Sequence, residues 1–93
     1  MAIDAEAVPV IPRGVRLHHD TVRGIWVLLA PERTITLDPI GHAILTQIDG
    51  TSSLRKIVSQ LAAQYDATPE QISGDVGDFV RGLADRRILD LTL

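Results

Sequence analysis

Along residues 15–19 apolar and polar positions alternate, with Val15, Leu17 and His19 on one side and Arg16 and His18 on the other. That is the period of a half-buried strand. Residues 20–24 read as a turn, in which Gly24 can take a positive φ. Residues 25–29 are continuously apolar, which predicts a central strand covered on both faces. Pro31, Glu32 and Arg33 make a second tight turn. Residues 34–37 predict a third short strand, with Ile35 and Leu37 on one face and Thr34 and Thr36 on the other. The three strands follow one another as a meander.

At Asp38 and Pro39 the period changes from 2 to 3.6. Asp38 can cap a helix, and Pro39 fits its first position, where no backbone donor is needed. Ile40, Ala43, Ile44 and Ile48 form the apolar stripe of that helix, and Gly50 is expected to end it in the left-handed conformation. Ser52 or Ser53 caps a second helix, whose Leu54, Ile57, Val58, Leu61, Ala62 and Tyr65 share a face. Thr68-Pro69-Glu70-Gln71 is a capping box that opens a third, with Ile72, Val76, Phe79 and Leu83 as its inner stripe. Residues 88–91 are either a short closing strand or a packed tail. The order is α+β, a three-stranded antiparallel sheet followed by a three-helix bundle packed on one of its faces. Residues 1–12 carry neither period and read as a flexible arm or linker, and residues 13–93 as one domain.

The third helix bears most directly on function. Its interior holds Gly74, Gly77 and Gly82, each of which costs about 1 kcal/mol of helix stability relative to Ala. Close approach of another backbone is the physical reason to keep them. Two readings follow. The small residues permit tight packing against the sheet or first helix. Alternatively, the shoulder formed by Ser73, Gly77, Val80 and Ala84 is a groove wall beside the third strand, to whose edge an extended peptide adds by main-chain hydrogen bonds.

Composition narrows the function classes. With 93 residues the chain builds one modest core. It has no Cys, so disulfides, thiolate metal sites and thiol nucleophiles are excluded. Twelve acidic against nine basic residues, a net charge of −3, argues against a nucleic-acid partner. No apolar run is long enough to cross a bilayer, the first ten residues lack the pattern of a signal peptide, and a cytoplasmic protein is expected.

Several segments carry a resemblance. Arg13-Gly14-Val15-Arg16-Leu17, Asp20, Val22-Arg23-Gly24 and Leu28-Leu29-Ala30-Pro31-Glu32-Arg33 are similar to the PqqD family of pyrroloquinoline quinone biosynthesis. So are Ile44-Leu45, Asp49-Gly50, the helix through Ile57 and Tyr65, and Asp75-Val76 with Phe79 and Leu83. The hexapeptide at 28–33 is the most specific part. The resemblance implies a winged helix-turn-helix-like peptide-recognition module that is not an enzyme and needs no cofactor. It implies binding of the precursor peptide PqqA, presentation of that peptide to the radical S-adenosylmethionine enzyme PqqE, and fusion to or association with PqqC. On this sequence it places the pairing edge at Arg33, Thr34, Ile35, Thr36 and Leu37. It makes Val76, Val80, Leu83 and Ala84 the groove wall, and Arg81 or Arg87 the partner of acidic peptide side chains. Val80→Asp is then expected to weaken binding, and Pro at Ile35 or Thr36 to abolish it while leaving the fold.

Sharper chemistry finds little support. His18 and His19 are adjacent in a strand and point apart, and His42 has no ligand partner at helical spacing, so no metal site is expected. Asp75 and Asp78 read as a solvated charged face rather than an acid/base pair. The other classes to weigh are a DNA-binding winged helix and a purely structural subunit. Against the first, the outer arc of the third helix sets Asp75, Asp78 and Asp85 against Arg81 and Arg86.

Overall fold

A computed structural model describes residues 4–92. After an N-terminal strand β1 (Val8–Val10), the meander appears as β2 (Arg16–Asp20), β3 (Ile25–Ala30) and β4 (Arg33–Thr36), in sheet order β2-β3-β4. Then come α1 (Pro39–Thr46), α2 (Leu54–Gln64), α3 (Pro69–Asp85) and a closing strand β5 (Asp90–Thr92).

Local chemistry sets the turns. The Asp20 carboxylate accepts the amides of Val22 and Arg23 and pairs with the Arg23 Nε at 2.9 Å, and Gly24 has φ 68°. The β3–β4 hairpin closes through the two residues Pro31 and Glu32, joining the pair Ala30 and Arg33. Pro31 cannot supply the positive φ, so it falls to Glu32, at 65°. A left-handed residue with a Cβ costs about 1 kcal/mol.

The helix starts match their caps. Asp38 accepts from the Gly41 amide at 2.6 Å, Ser53 from Lys56, and Thr68 and Gln71 form the reciprocal box. The end of α1 differs from expectation. The helix stops at Thr46, and Gly50, at φ 82°, lies in the following loop rather than against the last turn. There Asp49 organises the chain by accepting the amides and hydroxyls of Thr51 and Ser52. Helix α3 ends in a Schellman closure, with Ile88 N–H on Leu83 C=O and Arg87 N–H on Ala84 C=O, and Arg87 holds the left-handed position at φ 60°.

The first twelve residues also differ. Within the span read as an arm, β1 pairs antiparallel with β5, Val8 opposite Thr92 and Val10 opposite Asp90. Ala7 is buried, and the carbonyls of Ala7 and Ala5 accept from the Leu54 and Arg55 amides. Those are donors that the first turn of α2 cannot satisfy itself. Met1, Ala2 and Ile3 lie outside the described residues.

The core is aliphatic. Leu28 from the sheet meets Ile44 and Leu45 of α1, Ile57 and Leu61 of α2, Val76, Val80 and Leu83 of α3, and Ile88 and Leu89. At one end Trp26 is stacked between His19 of β2 and His42 of α1, with ring centroids 4.7 and 4.5 Å away, which ties α1 to the sheet where β4 ends.

Candidate functional site

Strand β4 forms one margin of the three-stranded sheet. In an antiparallel ladder, bonded and non-bonded pairs alternate. The tight turn makes Ala30 and Arg33 a bonded pair, so Leu28 and Ile35 are the next, and the Leu37 amide continues the series by donating to the Trp26 carbonyl at 3.0 Å. Thr34 and Thr36 therefore sit at non-bonded positions, and their N–H and C=O groups point away from β3. Among the described residues no strand or loop backbone takes up those groups. This margin offers two donors and two acceptors, spaced by two residues.

Helix α3 reaches the first turn of α1, which follows this strand in the chain. The ring of Phe79 lies on the backbone of Gly41 in the first turn of α1, close to the Asp38 cap. The face of α3 that carries Phe79 is thus the one turned toward the junction of β4 and α1. At about 100° per residue, Ile72, Asp75, Gly82 and Arg86 lie within about 60° of Phe79 on the helix surface.

The expected groove wall is placed differently. Val80 is fully buried, and Val76 and Leu83 are 1% and 3% exposed, so all three belong to the core. Ala84 lies on the far side of that core stripe from Phe79. The cause is the rotation of α3, whose buried arc is centred on Val76, Val80 and Leu83, leaving Phe79 at its margin and half-buried. Val80→Asp would accordingly place a carboxylate in the core rather than in a groove.

The glycine shoulder faces α2 instead. Ser73, Gly74 and Gly77 line a groove of about 590 Å³ with Val58 and Ser59 of α2 and with Ala5. A Cβ built on Gly74, Gly77 or Gly82 meets nothing within 4 Å, so close approach does not explain these residues. A second, smaller cavity lies between α1, α2 and α3.

The charged candidates are dispersed. Arg81 pairs with Asp85 at 3.9 Å across one turn, while Arg33 and Arg87 are exposed. Among the described residues no group of three or more His, Asp or Glu gathers as a metal site, and no helix is long and apolar enough to cross a membrane.

A sequence model described as "Coenzyme PQQ synthesis protein D (PqqD)" matches residues 26–89. The chain belongs to the PqqD family. A protein of Rhizobium meliloti (strain 1021) called "PqqA binding protein" is 45% identical over 89 residues, which cover 96% of this chain and 91% of that one. A "Bifunctional coenzyme PQQ synthesis protein C/D" of Methylorubrum extorquens is 44% identical over 89 residues, only 24% of its own length, so there the PqqD portion is joined to a larger partner. The solution structure of the PqqD portion of Methylobacterium extorquens PqqCD, described as a stand-alone recognition element for ribosomally made peptides, superposes with a TM-score of 0.78. It is 46% identical, and the match covers 89% of this chain and 88% of that one. TbiB1, solved in complex with the TbiA(beta) leader peptide, has a TM-score of 0.72 at 26% identity, covering 86% of this chain and 93% of its own.

The alternation at 34–37 predicts the edge strand, whereas the helical face that carries Phe79 has no comparable signal in the sequence. Phe79 was legible as apolar, but not as the residue turned toward β4. The available signal is Gly41, a glycine inside the first turn of α1, which is consistent with a neighbour pressing on the backbone.

Proposed function

We propose that this protein binds a ribosomally made precursor peptide of the PqqA kind as an added strand on β4 and presents it to the radical S-adenosylmethionine enzyme PqqE. It acts as a carrier in pyrroloquinoline quinone biosynthesis, in the cytoplasm, and not as a catalyst. The observation that carries the reading is the outward-turned backbone of Thr34 and Thr36, unpaired among the described residues. Support comes from relatives named for PqqA binding and from a structural neighbour that holds a leader peptide. The stretch Arg33, Thr34, Ile35, Thr36 and Leu37 is the pairing element, and Arg33 and Arg87 are exposed cations suited to acidic peptide side chains. Fusion in one relative makes a PqqC-type enzyme a second candidate neighbour.

Hydrogen bonds alone do not suffice. Four backbone bonds at about 0.5–1.5 kcal/mol net give roughly 2–6 kcal/mol, short of the roughly 8 kcal/mol of micromolar affinity. Side-chain contacts along α3 have to supply the remainder, and they also supply sequence preference, which a strand edge lacks.

Calorimetric titration with PqqA, followed by the rate of PqqE cross-linking with and without this protein, tests the reading. Saturable binding and faster cross-linking are expected. No heat of binding at two temperatures with about 100 μM free peptide, about two orders above a micromolar Kd, removes the proposal.

A further inference from the structure

We infer that the cavity between α1, α2 and α3 receives one apolar side chain of the same peptide, with a cationic neighbour held by Asp75; this rests on strand addition at β4. The cavity measures about 200 Å³. An apolar cavity of about 150 Å³ takes a benzene ring, so a Leu or Phe side chain fits. Its inner lining is core: Ala43, Ile44, Leu61 and Val76. Its remaining lining includes residues that reach solvent, Ile40 at 54% exposure, Tyr65 at 53%, and the exposed Asp75.

Three features commit the occupant. The first is continuity. Ile40 lies four residues beyond Thr36, and Ile72 and Asp75 share the α3 face of Phe79, whose ring lies on Gly41 next to Ile40. An extended peptide advances about 3.3 Å per residue, so a chain leaving the β4 margin at Thr36 reaches this mouth within a few residues. The second is charge. Asp75, a lining residue that is itself exposed, forms no ion pair among the described residues, so a carboxylate free of a partner belongs to the rim of an apolar cavity. It favours a Lys or Arg beside the inserted side chain. The third is energetic, since the strand edge needs an apolar contribution and two large apolar side chains stand exposed around this cavity.

The test combines affinity with amide NMR on the full chain. PqqA peptides with each apolar residue replaced by Ala are titrated into the protein and into Ile40→Ser and Asp75→Asn. Both positions are exposed, so the amide spectra of the free variants should stay native-like. One peptide position should lose roughly ten- to a hundredfold in affinity. Ile40→Ser should cost about tenfold and reduce that position's effect, and Asp75→Asn about threefold, an effect that disappears in high salt. Thr34 and Thr36 amides should still shift in each case. Shifts at Thr34 and Thr36 with affinity indifferent to Ile40 and to every apolar peptide residue overturn the subsite and leave strand addition standing. Shifts at Ile40 and Ile72 without any at Thr34 and Thr36 overturn both, whereas a cavity filled by a second copy of the chain at rising protein concentration overturns the subsite alone.

Discussion

The ring of Phe79 covers the backbone of Gly41 so closely that a Cβ at position 41 would stand 2.9 Å from its Cε1 and 3.1 Å from the Asp38 Oδ1. One missing methyl group thus sets how near α3 comes to the end of β4, and leaves the Asp38 cap undisturbed. Gly41→Ala should lower stability by about 1 kcal/mol, although Ala is the better helix former. In a Phe79→Ala background the same change should be neutral or stabilising. Urea unfolding of the four proteins of this cycle measures the coupling, and simple additivity would show that the contact does not fix the helix.

Pro substitutions separate the two sides of β4. Ile35 donates toward β3, so Ile35→Pro removes a ladder bond and should destabilise the sheet by about 1–3 kcal/mol, in contrast to the expectation that it leaves the fold intact. Thr36→Pro removes an outward donor only. It should keep a native-like unfolding midpoint and lose about tenfold in peptide affinity. Equal affinity for Thr36→Pro and the parent would count against strand addition.

Val80→Asp should prevent folding outright. A lone carboxylate at a fully buried position costs several kcal/mol, comparable to the whole stability of so small a domain. Circular dichroism should show loss of the cooperative transition at neutral pH. A folded variant with impaired peptide binding would return Val80 to the groove.

Arg87→Gly should stabilise the protein by up to about 1 kcal/mol, because Gly occupies the left-handed closing position of α3 without strain. Arg87→Val should do the reverse. Thermal denaturation of the pair checks the sign. Peptide binding by Arg87→Gly then reports separately on the side chain.

Asp49 should contribute to acid sensitivity. Hydrogen bonds from the Thr51 and Ser52 amides and hydroxyls hold its carboxyl well below the usual carboxylate value of about 3.9. A lowered folded-state value means that the stabilisation is complete above the unfolded value and is lost as pH falls below it. The stability gap between the parent and Asp49→Ala should be constant above about pH 5 and narrow progressively below about pH 4, as pH falls toward the lowered folded-state value. A gap independent of pH would mean that the ionised carboxylate is not the source.

Caps and periods are local, and they were legible. Asp38 with Pro39, Ser53, Thr68 with Gln71 and the alternation around β2 and β4 each depend on residues a few positions apart. The misreadings concern distance. Nothing near Val8, Pro9 and Val10 signals a strand, because their partners Asp90, Leu91 and Thr92 lie at the other end of the chain. In α3 the wheel gave the apolar arc, but which shoulder meets β4 and which meets α2 depends on how the helix docks. Gly74 and Gly77 therefore face α2 rather than β4, and the contact of Phe79 with Gly41 has no local signature.

Amide hydrogen exchange with and without PqqA, resolved at single residues by NMR, addresses the central claim most directly. Thr34 and Thr36 should exchange rapidly in the free protein and become protected on binding, while Ile35 and Leu37, already bonded to β3, change little. Protection that appears on Ile35 and Leu37 alone, or Thr34 and Thr36 amides that remain as fast in the saturated complex as in the free protein, would contradict strand addition at β4.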